Sequence, residues 1–212
     1  MDAISKQDLI REINRLAHVR KRTIVAIAGP PGSGKTTLAK ELAAELNVKS
    51  AVLPMDGFHF DNEQLREMKL LHRKGAPETF DAVGFVDLIQ LARQGGALRF
   101  PTFDRTLDAT VPDTGLITSD TSVVLVEGNY LLLKTSPWNQ LREAFNLTVL
   151  LDVSQQELET RLIDRWLKHG FTLNESRDRA LANDIPNALF VLEQSTTPDF
   201  VLGTGPSPAS RQ

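Results

Sequence analysis

The chain has 212 residues, 41% of them hydrophobic, which is enough for one sizeable core and short for two. Its 24 basic and 27 acidic residues leave a net charge of -3, so nothing sequence-wide draws it to nucleic acid or to an anionic membrane. It has no cysteine, which excludes disulfides and thiolate metal sites and suits a cytoplasmic protein, and its most apolar run, 123–133, is interrupted by Glu127, Gly128 and Asn129 far short of a membrane span.

Residues 4–19 place Leu9, Ile10, Ile13, Leu16 and Ala17 on one helical face, with Ser5 and Asp8 as a capping pair. Interspersed acids and bases make this helix, within 1–20, a packing element rather than a partner-binding one. Thr23 to Ala28 is a β-rich apolar run that reads as a buried strand. After it comes Gly29-Pro30-Pro31-Gly32-Ser33-Gly34-Lys35-Thr36-Thr37, a full match to G-x-x-x-x-G-K-[ST], and then Leu38, Leu42 and Leu46 at helical spacing. Strand, glycine-rich turn and helix together predict a P-loop. Glycines let successive backbone N–H groups point inward, and the helix presents its positive end to a phosphate. Lys35 adds a point charge for the β- and γ-phosphates, and Thr36 offers a hydroxyl to a phosphate-bound Mg2+.

A second strand, 50–55, ends in Asp56-Gly57-Phe58-His59. In a doubly wound sheet ligands sit beyond the carboxyl ends of the strands, so Asp56 faces the P-loop side. There it either accepts a proton from an alcohol, holds Mg2+ through water, or forms a simple Asp-Gly turn. Asp56, His59 and Asp61 make only a loose metal-ligand pattern. Residues 63–72 read as a short helix, and 73–81 as a solvated loop placed to fold over a site. From 81 to 94 a helix runs with Phe85 and Leu88 inward, stopped by Gly95-Gly96. Asp81 to Gly84 fits D-x-x-G but lies on that helix, and no N-K-x-D accompanies it. Residues 97–120, with Asp104-Arg105, look like a hairpin outside the main sheet.

Strand 121–126 delivers Glu127 where a Walker-B acid belongs, a candidate for the metal or its water shell. Strand 147–152 is followed by a helix, 154–169, carrying Arg161 and Arg165 on one face. These arginines are either solvated, with Glu157 and Asp164 as partners, or delivered to the γ-phosphate. The helical pattern of 176–181 is interrupted at 183–188. A last strand, 200–202, leads into a Gly/Pro/Ser-rich stretch, 203–212, expected to be a disordered tail. The sum is an α/β fold in one domain, 1–202, with a five-stranded parallel sheet, helices on both faces and a helical lid near 155–185.

Taken together, the P-loop, Met55 to His59, Val126 to Leu133, Arg161 to Arg165 and Asn183-Asp184-Ile185-Pro186-Asn187 resemble the phosphoribulokinase/uridine kinase family of P-loop kinases, over roughly residues 23–202. Within it the chain is most similar to the branch labelled fructose-transport-system kinases. The resemblance implies ATP as co-substrate, Mg2+, and transfer of the γ-phosphoryl group to a hydroxyl of a small molecule. Asp56 is then the base, Lys35, Arg161 and Arg165 stabilise charge, and Asn183, Pro186 and Asn187 lie against the adenine. The stretch from Arg73 resembles one near the acceptor in pantothenate kinases, and the implied acceptor set is Phe58, His59, Arg73, Asp104, Arg105 and Tyr130. Phe58-His59 after a glycine departs from the aromatic pair of uridine kinases, which sets a pyrimidine nucleoside acceptor in question. The alternative is a nucleotide-hydrolysing ATPase or switch with no small-molecule acceptor. Homodimerisation stays open.

Overall fold

The computed structural model describes residues 2–203. In chain order the elements are β1 (Asp2–Ala3), α1 (Lys6–Val19), β2 (Thr23–Ala28), α2 (Lys35–Glu45), β3 (Ser50–Pro54), α3 (Asn62–Glu67), α4 (Ala82–Gln94), β4 (Leu98–Asp104), β5 (Ala109–Ile117), β6 (Val123–Gly128), β7 (Leu147–Asp152), α5 (Gln155–Lys168), α6 (Leu173–Arg179), α7 (Ile185–Gln194) and β8 (Phe200–Gly203). Six strands form one parallel sheet in the order β1-β8-β7-β2-β6-β3, and β4 and β5 form a separate antiparallel hairpin. The sheet therefore has one strand more than expected. The addition is β1, whose two residues pair with Phe200 and Val201 of β8.

β2 is central because it is apolar on both sides. Ile24, Ala26 and Ala28 join one core with Phe85 and Ile89 of α4, while Val25 and Ile27 join the other with Leu9 and Ile13 of α1 and Leu42 of α2. Alternation of side chains across a strand thus feeds both helical layers. Each of these large side chains is 0% exposed, and burying one contributes roughly 1.5 to 3 kcal/mol.

Helix starts follow their caps. Ser5 accepts from Asp8 N, and Asp81 accepts from Gly84 N, so Asp81 caps α4. The expected break at 183–188 does not occur. The chain stays helical through a π-helical segment, Ala180–Asp184, into α7, and Pro186 sits in the first turn of α7, where its missing N–H is least felt. Together with α5 these segments enclose a small core of their own, including Leu158, Leu162, Ala180 and Ile185. Gly203, expected in the tail, closes β8, and the remainder of the expected tail, 204–212, lies outside the described residues. Among the described residues, no helix is long and apolar enough to cross a membrane.

Candidate active site

The loop between β2 and α2 takes its shape from Gly32 (φ +79°) and Gly34 (φ +94°), which occupy left-handed backbone that a side chain would strain. Lys35 Nζ donates to Pro30 O at 3.0 Å, and Thr36 Oγ1 donates to Glu127 Oε1 at 3.0 Å. Glu127 belongs to the last turn of the ladder in β6, beside Ile27 of β2 and Pro54 of β3, so three parallel strands end around these groups. Burial pushes Lys35 down to about 8, against the pull of Glu127 and Asp56, and pushes Glu127 up. Ser33 Oγ is buried and has no hydrogen-bond partner among the described residues. An orphaned hydroxyl, inward-curled glycines and paired hard oxygens beside a lysine fit a phosphate chain with Mg2+.

Asp56 lies on a 3-10 turn, Met55–Phe58, directly after β3. Its Oδ2 accepts from Arg105 NH2 at 3.1 Å, and its backbone O lies 2.8 Å from His59 Nδ1. Since a carbonyl only accepts, Nδ1 carries the proton when the ring is neutral, leaving Nε2 as an acceptor. Burial between Phe80 and Phe103, whose ring centroids are 3.9 and 4.9 Å away, pushes the His59 pKa down. Opposite, Lys74 Nζ donates to Asn62 Oδ1 at 2.7 Å and to Asp108 O at 3.0 Å, and pairs with Asp108 Oδ1 at 2.8 Å. Its carbonyl accepts from Asn183 Nδ2 at 3.2 Å. Loop 71–75, the hairpin tip and the helical segments after α5 are joined at this lysine.

On α5, Arg161 Nε donates to Glu157 Oε1 at 2.8 Å, while NH1 reaches Gly32 O at 3.4 Å and Ser33 O at 3.3 Å. Arg165 NH2 pairs with Asp184 Oδ1 at 2.9 Å, and Trp166 Nε1 donates to the other oxygen at 2.7 Å. The partner of Arg165 is thus Asp184, nineteen positions on, rather than Asp164.

These groups line one cleft of about 960 Å³, which takes in Pro31, Gly32, Gly34, Lys35, Thr36, Thr37, Asp56, His59, Arg105, Glu127, Arg161, Arg165, Asn183 and Asn187. Gly29, Pro30 and Ser33 are buried beneath it, where an added Cβ on Gly29 would come within 2.8 Å of Ser33 Oγ. Several expected lining residues are elsewhere. Tyr130 is 0% exposed and donates to Gly75 O, so it supports the loop above it from below. Phe58 packs edge-on against Phe85, and Asp104 accepts from Thr106 N and Leu107 N to fix the hairpin turn. Arg73 pairs with Glu78 and lines a neighbouring cavity of about 630 Å³, as does Pro186. Asn183 and Asn187, expected at the adenine, both line the cleft, Asn183 Nδ2 donating to Lys74 O in loop 71–75 and Asn187 Nδ2 donating to Asn183 Oδ1. Asp61 caps α3 and shares no metal site with His59; no group of three or more His, Asp or Glu set to hold a metal occurs among the described residues. Asp108, Asn62, Phe103 and Trp166 escaped the sequence reading, and Lys74 and Phe80 entered it only as part of the stretch from Arg73.

A model of the Phosphoribulokinase / Uridine kinase family matches residues 24–201. A protein of Schizosaccharomyces pombe, named as a proposed uridine kinase, is 32% identical over 214 residues, covering 95% of this chain and 91% of its own. A pantothenate kinase of Mycolicibacterium gilvum is 28% identical over 151 residues, 68% of this chain and 48% of that protein. Among solved structures, a Silicibacter sp. TM1040 protein proposed as a fructose transport system kinase superposes with a TM-score of 0.88 at 35% identity, covering 94% of this chain and 99% of that one.

Proposed function

The chain belongs to the phosphoribulokinase/uridine kinase family of small-molecule kinases, and on that premise we propose that it transfers the γ-phosphoryl group of ATP to a hydroxyl of a small molecule in the cytoplasm. The observation that carries this reading is convergence: Lys35, Thr36, Glu127 and Asp56 come from the ends of three neighbouring parallel strands into one cleft. A lone strained turn or a lone acid would not require the other three.

In this reading the N–H groups of residues 32–36 and the ammonium of Lys35 hold the phosphates, and Thr36 Oγ1 and Glu127 are the residues that would hold Mg2+. Held there, Mg2+ would supply charge neutralisation at the phosphate oxygens. Arg161, already against the P-loop carbonyls, and Arg165, held by Asp184, stabilise charge on the transferred group from the helical lid. Asp56 accepts the proton of the attacking hydroxyl. His59, neutral and presenting Nε2, with Phe80 and Phe103, forms the wall that seats the acceptor.

The relatives' names span a nucleoside, a sugar transport system and pantothenate, so the acceptor is defined here as an alcohol. The test is direct detection of phosphorylated product from γ-labelled ATP across ribosides, pentoses, hexoses and pantothenate. A labelled organic product is expected with one class. Release of inorganic phosphate alone with every compound would replace the reading with an ATPase.

A further inference from the structure

The hairpin binds one carboxylate oxygen of the candidate base. Asp56 Oδ2 lies 3.1 Å from Arg105 NH2, and Arg105 stands in the turn that joins β4 to β5. Two features hold that turn in place. On its far side Asp108 is bound by Lys74, whose side chain is only 16% exposed and which also donates to Asn62. At its base, the backbone of β4 sits directly on the turn that carries Asp56, since a Cβ on Gly57 would come within 2.0 Å of Pro101 O. The Arg105 side chain itself is 61% exposed and that of Asp56 33%. The hairpin is therefore anchored, and what it presents to Asp56 is a solvated guanidinium held by one ion pair.

A kinase site has a competitor that is always present, because water can attack wherever an alcohol can. In hydrolysis a water oxygen forms the bond to the γ-phosphorus and the bond from that phosphorus to the β–γ bridging oxygen breaks. ADP leaves with the electron pair, the water proton passes to the Asp56 carboxylate, and the products are ADP and inorganic phosphate. With an acceptor the same bonds form and break, and the proton comes from its hydroxyl. Water is small enough to reach Asp56 whenever the carboxylate is free. An acceptor has contacts along the His59, Phe80 and Phe103 wall with which to displace a weak partner.

Resting on the kinase reading above, we propose that Arg105 is a specificity-determining residue that withholds Asp56 from water until an acceptor hydroxyl displaces it. An ion pair this exposed is weak, which suits a cover that substrate must move, and its suppression of hydrolysis is modest, roughly two- to five-fold. Asp108, through Lys74, keeps the cover in register.

The test needs no knowledge of the acceptor. ADP release from Mg-ATP alone is measured for the native protein, Arg105→Ala, Arg105→Gln, Asp56→Asn and the double variant Asp56→Asn/Arg105→Ala. Both Arg105 variants are expected to hydrolyse ATP roughly two- to five-fold faster than native, with unchanged melting temperatures because the side chain is exposed. The double variant is expected to fall back to the native rate or below. Unchanged or slower hydrolysis in both Arg105 variants overturns the cover and leaves the role of Asp56 in transfer standing. A rise that persists in the double variant also overturns it, since the water would then be activated without Asp56. Should no alcohol ever be phosphorylated, the kinase reading fails on its own, and these hydrolysis rates still decide what Arg105 does.

Discussion

His59 carries a prediction that follows from where its ring lies. Burial between two phenylalanines lowers its pKa, more than the neighbouring Asp56 and Asp108 raise it and with Lys74 adding to the lowering. In the unfolded chain the ring titrates near its ordinary value of about 6.5, so below that pH the unfolded state binds a proton that the folded state resists. Stability is therefore lost as pH falls through about 6.5 toward the lowered folded value. Melting temperatures between pH 5 and 7.5 should drop more steeply for the native protein than for His59→Gln, and parallel curves would contradict this. At the same scale, the sequence disclosed the residues whose position follows from a strand end. Lys35, Thr36, Asp56 and Glu127 sit where a motif or a strand terminus puts them. Tyr130, Phe58 and Asp104 do not, because a side chain's direction depends on what packs against it. Tyr130 follows a strand end but turns into an aromatic cluster with Phe80 and Trp138.

Among elements, the joint between α4, β2 and the turn before β6 depends on one buried arginine. Arg22 is 6% exposed and donates to four backbone carbonyls, of Thr121, Ala92, Gly96 and Thr118, at 2.8 to 3.1 Å. Two of these carbonyls belong to the last turn of α4 and the chain just after it, where a positive charge suits the helix end; Ala92 O also accepts from Gly95 N. Arg22→Met would fill much of the space and remove the guanidinium donors from the carbonyls of Thr118, Thr121 and Gly96, so urea denaturation should show a loss of about 2 to 4 kcal/mol. Arg22→Lys should recover only part, since one ammonium cannot reach carbonyls arranged around a planar fork. A loss under half a kcal/mol for Met, roughly what an ordinary surface substitution costs, would mean that water replaces the guanidinium. The elements themselves were readable where periodicity was strong, as in α1, α4 and α5. The continuity of α6 into α7 was not, because Asn-Asp-x-Pro reads as a break, and only the π-helical register together with packing on Leu158 and Leu162 keeps the helix running.

Across the whole molecule, the parallel sheet brings the ends of β2, β3 and β6 together, and the hairpin, loop 71–75 and the helices after β7 close around them. Strand alternation and the P-loop made the sheet and the nucleotide half legible. β1 was missed because two residues have no periodicity, and the cleft wall beyond Asp56 was read only in part: His59 and Arg105 were named, but pairings between distant residues such as Lys74 with Asp108 and Asp56 with Arg105 leave no local pattern. Asp56 is where these walls meet, and the account turns on its being the proton acceptor in transfer. The most direct measurement is ADP release by the native protein and by Asp56→Asn, each with and without the alcohol that stimulates the native form. Asparagine keeps the volume and removes the proton-accepting charge, so stimulated release should fall on the order of a hundred-fold or more while ATP affinity changes little. Equal stimulation in the two proteins would contradict the account and return Asp56 to the role of a turn residue.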